Sequence, residues 1–141
     1  PYWDLGRDAA LAAGQDFALG TAGAGVGGTT AGLKGGLGST SARTSQGFTV
    51  GALVAVNAVG SATIGSGPHF WAGAFERDGE FGGLGWPATL PDDATAIRFK
   101  GQPLPVTATT IALVATDATL GKAECKRLAI MANDGLSRSL R

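Results

Sequence analysis

The sequence predicts one mixed α+β domain, on three observations. Residues 47–57 and 108–118 are apolar runs with the length and β-branched content of strands covered on both faces. Segments with helical periodicity stand near both ends, at 3–13 and 121–140. The chain has 141 residues, 44% hydrophobic and 16% charged, which is enough apolar material for one core and about one domain.

In chain order, residues 3–13 read as a packing helix, with Leu5, Ala9 and Ala12 as its apolar stripe and Gly14 as its stop. Residues 17–38 are too rich in glycine for a regular helix and too apolar for a disordered linker, a composition that suits backbone brought close to backbone. Gly23, Gly25 and Gly28 match the spacing of a dinucleotide loop. No helix pattern follows them and no acidic residue occurs between Asp16 and Glu76, so the conditions for that site are unmet. Lys34, among Gly32, Gly35 and Gly36, reads either as a surface loop lysine or as a cation that stabilises negative charge and keeps a neighbouring amine unprotonated.

The strand at 47–57 carries Phe48, Val50, Ala52, Val54 and Val56 on one face and ends at Asn57. Asn57 is an ordinary strand-ending residue, or a carboxamide that donates to the oxygen of a tetrahedral intermediate. Residues 58–91 form an irregular excursion in which HFWAGAFE, followed by RDGE, reads as a strand into a turn. His69, the one histidine, reads as structural, because no G-x-S-x-G elbow surrounds any serine. A short strand is expected within 92–101, with one solvated face.

A loop broken by Pro103 and Pro105 then delivers Thr109 and Thr110 to the start of the second apolar run. Threonines are common at strand starts. Such a hydroxyl, held at the rim of a core, also suits an amino-terminal nucleophile whose own α-amine is its base. The helix at 121–140 presents Cys125, Leu128, Met131, Ala132, Gly135 and Leu136 to the sheet, with Glu124 at its third position after a Gly121 cap. Cys125 reads there as buried packing.

Eleven basic and eleven acidic residues cancel, so no electrostatic footprint for nucleic acid or an anionic membrane is visible. A single cysteine excludes an internal disulfide and any multi-cysteine metal site, and fits a reducing, cytoplasmic location. No apolar run reaches 18 residues.

The segments GLKGGLGSTSA (32–42), GFTVGALVAVN (47–57), GPHFWAGAFERDGEFGGLGWPATLP (67–91) and ATTIALVATDATLGKAECKRLAIMANDGLSRSLR (108–141) together resemble the P1 (DmpA-like) peptidase family. That family comprises L-aminopeptidase/D-esterase enzymes, β-peptidyl aminopeptidases and nylon-oligomer hydrolases. The resemblance implies an αββα sandwich of the amino-terminal-nucleophile type, here partial, made as a precursor that cuts itself between Ala108 and Thr109. It implies Thr109 as nucleophile, Asn57 as oxyanion donor and Lys34 as the lysine beside the nucleophile, with no cofactor. It also implies a small peptide or amide substrate and a homo-oligomer. The family usually has Asn-Thr-Thr where this chain has Ala108-Thr109-Thr110; the related ornithine acetyltransferases look similar in cutting an Ala-Thr bond, which makes acyl transfer an alternative activity. Family chains extend beyond both ends, so an internal fragment without the family's acidic pair is expected. A non-catalytic fragment or assembly module is therefore the alternative from another class.

Overall fold

The computed structural model describes residues 1–100 and 108–141 of the chain. The loop containing Pro103 and Pro105 lies outside the described residues. The elements are helix α1 (Tyr2–Leu11), strands β1 (Gly36–Arg43), β2 (Thr49–Val56) and β3 (Ile111–Thr116), and helix α2 (Lys122–Ser139), with single 3-10 turns at Gly23–Gly25 and Trp71–Phe75. The strands form an antiparallel sheet in the order β1-β2-β3.

β1 and β2 are a hairpin, with Gly36 opposite Val56 and Arg43 opposite Thr49. Gly47 makes the turn possible by taking a left-handed conformation (φ 93°) that a side chain would disfavour. Thr44 closes it, its hydroxyl accepting the Phe48 N–H at 3.1 Å. β3 pairs with β2 with Ala55 opposite Ile111 and Gly51 opposite Ala115. Two bonds pin that register at one end: Thr49 N–H donates to Asp117 Oδ1 and Thr116 Oγ1 donates to the Thr49 carbonyl, both at 2.8 Å. A one-residue slip would turn every side chain to the wrong face, so such pins matter.

α2 starts as its sequence dictates: Gly121 is the cap and its N–H donates to Glu124 Oε2 at 2.6 Å. Leu128, Ala132 and Leu136 are the half-buried stripe of α2 on the sheet. The buried centre lies elsewhere, where Ile64 and Trp71 of the excursion pack with Ala94. Trp86 meets Trp71 edge-on at 6.1 Å, and the Arg141 guanidinium lies 4.7 Å from the Trp71 ring centre.

Several expectations are corrected. β1 escapes a search for apolar alternation because it reads GLGSTSAR; its pairing with β2 makes it a strand. Within HFWAGAFE, Trp71–Phe75 is a 3-10 turn and only Phe70 makes an isolated antiparallel bridge, to Thr63, because Trp71 turns inward to join Ile64 and Ala94 instead of lying along a sheet. No strand forms in the described part of 92–101. There Asp93 accepts the Ser66 N–H at 2.9 Å and Arg98 donates to the Gly65 carbonyl, so side chains hold this segment to its neighbour without a ladder. The apolar strands are not covered on both faces: Ile111 is 67% and Leu113 59% exposed, on the side away from α2. α1 buries none of its residues, and Cys125 is exposed on the first turns of α2.

The glycine-rich segment behaves as its composition predicts. The chain doubles back from Gly28 to Gly35 across the end of β2, with the Gly35 N–H on the Gly28 carbonyl at 2.9 Å. A Cβ at Gly35 would collide with the Val56 carbonyl oxygen and sit 2.9 Å from the Gly28 carbonyl carbon and the Thr29 nitrogen. Gly35→Ala is therefore expected to cost about 1–3 kcal/mol by overpacking. Gly27→Ala, where a Cβ meets nothing within 4 Å, is expected to be near neutral. Denaturant unfolding of the full-length protein compares the two.

Candidate active site

The site is built on the end of β2 and the approach to β3. Continuing the antiparallel register two pairs past Ala55 and Ile111 sets Asn57 opposite Thr109, and the Thr109 N–H donates to the Asn57 carbonyl at 2.8 Å. Directly opposed residues share a face, with Cβ atoms about 4.5–5.5 Å apart. Thr109 and Asn57 are thus cross-strand neighbours, Thr109 exposed and Asn57 half-buried.

Adjacent threonines point opposite ways along an extended chain. Thr110 lines a cavity of about 440 Å³ between β3 and α2 together with Cys125 and Asn133. Its Oγ1 is buried with no hydrogen-bond partner among the described residues. The two hydroxyls are therefore chemically distinct: one stands on the open face beside a carboxamide, the other faces the helix.

Asn57 is held at both its backbone and its side chain. Its Oδ1 accepts the Thr29 N–H at 3.3 Å and the Lys100 ammonium, while Lys100 Nζ also reaches the Thr29 carbonyl at 3.3 Å. Thr29 is there because Gly28 and Gly35 allow their hairpin to lie directly on the Val56 carbonyl. With Oδ1 fixed by two donors, the amide NH2 must point the other way.

Lys34 is brought near this centre without touching it. It pairs with Thr29 as the opposite residue of an isolated antiparallel bridge, and its exposed side chain has no hydrogen-bond partner among the described residues. It lines a groove of about 780 Å³ between the sheet and α2, along with Val54, Val56, Leu128 and Leu136. The cation bonded to Asn57 is Lys100, which sequence reasoning missed. Its signal was weak: it ends a segment read as a half-solvated strand, and nothing local ties it to a residue more than forty positions away.

His69 bonds the Gly85 carbonyl through Nδ1 at 3.1 Å, a contact that braces the excursion. Among the described residues no three His, Cys, Asp or Glu side chains cluster as metal ligands, and no helix is long and apolar enough to cross a membrane.

Fold and site together define a class: an antiparallel sheet backed by a helix, with a threonine at a strand mouth opposed to a tethered asparagine. Residues 3–141 match Peptidase family S58, and the chain belongs to that family. An uncharacterized aminopeptidase of Mycobacterium tuberculosis (strain ATCC 25618 / H37Rv) is 40% identical over 145 residues, covering all of this chain and 41% of that protein. A counterpart in Mycobacterium leprae (strain TN), also described as an uncharacterized aminopeptidase, is 43% identical over 136 residues, covering 95% of this chain and 36% of its own. The chain thus spans about two fifths of the length of these curated relatives.

Proposed function

We propose that this chain is the junction-bearing part of a self-processing amide hydrolase, an aminopeptidase or amidase acting on small peptides or amide oligomers, with Thr109 as nucleophile. Membership of a peptidase family and the aminopeptidase names of the relatives support the class. The cross-strand pairing of Thr109 with Asn57 is the observation that carries the assignment of residues.

In maturation, Thr109 Oγ1 attacks the Ala108 carbonyl carbon. The acyl group moves from nitrogen to oxygen, and water then hydrolyses the ester to leave an Ala108 carboxylate and a Thr109 α-amine. In turnover the same oxygen attacks a substrate amide while the α-amine takes its proton. The amine returns that proton to the leaving nitrogen, and water completes the cycle through the acyl ester. An α-amine titrates at about 7.7–8.0, so a useful fraction is neutral at working pH, and activity falls as the pH drops below that range. In both steps the Asn57 NH2 donates to the developing oxyanion. Lys34, across the Thr29 bridge, adds positive potential that favours the oxyanion and the neutral amine.

We read β1 to β3 with α2 as one αβ half of an αββα sandwich. The exposed apolar residues Ile111 and Leu113, on the face away from α2, support a second sheet layer there. A homo-oligomer is part of the same proposal.

The decisive test is an intact-mass time course on the full-length protein with amine labelling. A new chain beginning at Thr109, appearing together with hydrolysis of aminoacyl anilides, is expected. A protein that stays unbroken and inactive overturns the reading.

A further inference from the structure

We infer that Lys100 is a positioning residue for Asn57, fixing which end of its carboxamide faces the reacting carbonyl; this rests on the function proposed above. A carboxamide carries an acceptor at one end and two donors at the other, and its two orientations differ little in shape. An oxyanion donor is useful only in one of them.

Three observations favour that one. The Lys100 ammonium, a group that can only donate, bonds Asn57 Oδ1. The Thr29 N–H, also only a donor, bonds the same oxygen at 3.3 Å. Lys100 is itself held, half-buried, with Nζ 3.3 Å from the Thr29 carbonyl. Turning the amide over would bring the NH2 against both donors and leave two N–H groups facing N–H groups. The cation has a second effect: by drawing electron density toward Oδ1 it makes the NH2 a stronger donor, as hydrogen bonds in a chain polarise one another. Lys34 does not duplicate this: it lines the groove between the sheet and α2 and has no hydrogen bond to Asn57 among the described residues.

The experiment uses the full-length protein as wild type, Lys100→Met, Lys100→Gln and Lys100→Arg, reading junction cleavage by intact mass and kcat and KM on an aminoacyl anilide. Lys100→Met is expected to slow both reactions by about tenfold, short of the hundredfold or more that follows loss of the donor itself. The loss is expected in kcat with KM unchanged, with Arg restoring most of the rate and Gln part of it. In an Asn57→Ala background Lys100→Met is expected to add nothing, because the residue it positions is gone. A wild type that stays uncut and inactive defeats the reading of the whole site. A wild type that cuts, with Lys100→Met cutting and turning over equally fast, defeats the role of Lys100 alone. So does a loss that lies in KM, that Arg fails to restore, or that persists undiminished without Asn57. If the Met chain does not fold, the Gln and Arg pair decides by the same criteria.

Discussion

Thr109→Ala is expected to leave the chain unbroken and inactive, while Thr110→Ala is expected to cut and turn over nearly as wild type. The two residues are neighbours of identical chemistry, so the contrast isolates placement. Thr109 is exposed and its N–H is bonded to the Asn57 carbonyl at 2.8 Å, whereas Thr110 has its hydroxyl buried toward α2 with no partner among the described residues. Removing a nucleophile that acts as one unit with its base costs about four orders of magnitude or more in rate. Removing an unpartnered hydroxyl is close to neutral for folding, because its desolvation was never offset by a hydrogen bond. Thr109→Ser keeps the hydroxyl and the amine, and is expected to keep both reactions. Intact mass and anilide hydrolysis on the full-length variants check all three. Equal loss in the Thr109 and Thr110 alanine variants would mean that the site has been read on the wrong face.

Asn57→Ala is expected to slow junction cleavage and turnover about a hundredfold to a thousandfold, or about 2.7–4 kcal/mol of transition-state stabilisation, with KM little changed. The bond from the Thr109 N–H goes to the main chain of Asn57, so pairing of the strand mouth survives the substitution. Asn57→Asp separates the structural role from the chemical one. A carboxylate still accepts from Thr29 and Lys100, and its contact with the lysine gains charge, so the variant stays folded. It has no N–H to give an oxyanion. The Asp variant should therefore match the Ala variant in rate and the wild type in thermal stability. An Asp variant as fast as wild type would show that the carboxamide serves only to tie the hairpin at Thr29 to β2.

Much of this arrangement is legible in the chain. α2 follows from a stripe of Leu128, Ala132 and Leu136 behind a capped start, and β2 and β3 from apolar runs of strand length. Thr109 and Asn57 stand out because each sits at the end of such a run, where a side chain is rigidly held and still accessible. β1 is illegible by pattern, since Gly, Ser and Thr carry no burial signal and only the partner strand supplies the reason to extend. The 3-10 turn at Trp71 is illegible for the opposite cause: an aromatic-rich run suits a strand locally, and the inward packing of Trp71 on Ile64 overrides that preference.

The sequence by itself determined the mixed class, the strands and helix that flank the threonines, and the close backbone approach in the glycine segment, because periodicity and the absence of a Cβ act over a few residues. Only the tertiary structure decided which threonine shares a face with Asn57, and that Lys100 rather than Lys34 bonds its carboxamide. Those facts depend on register and on one hairpin crossing a strand end, and long-range pairing has no trace in local composition.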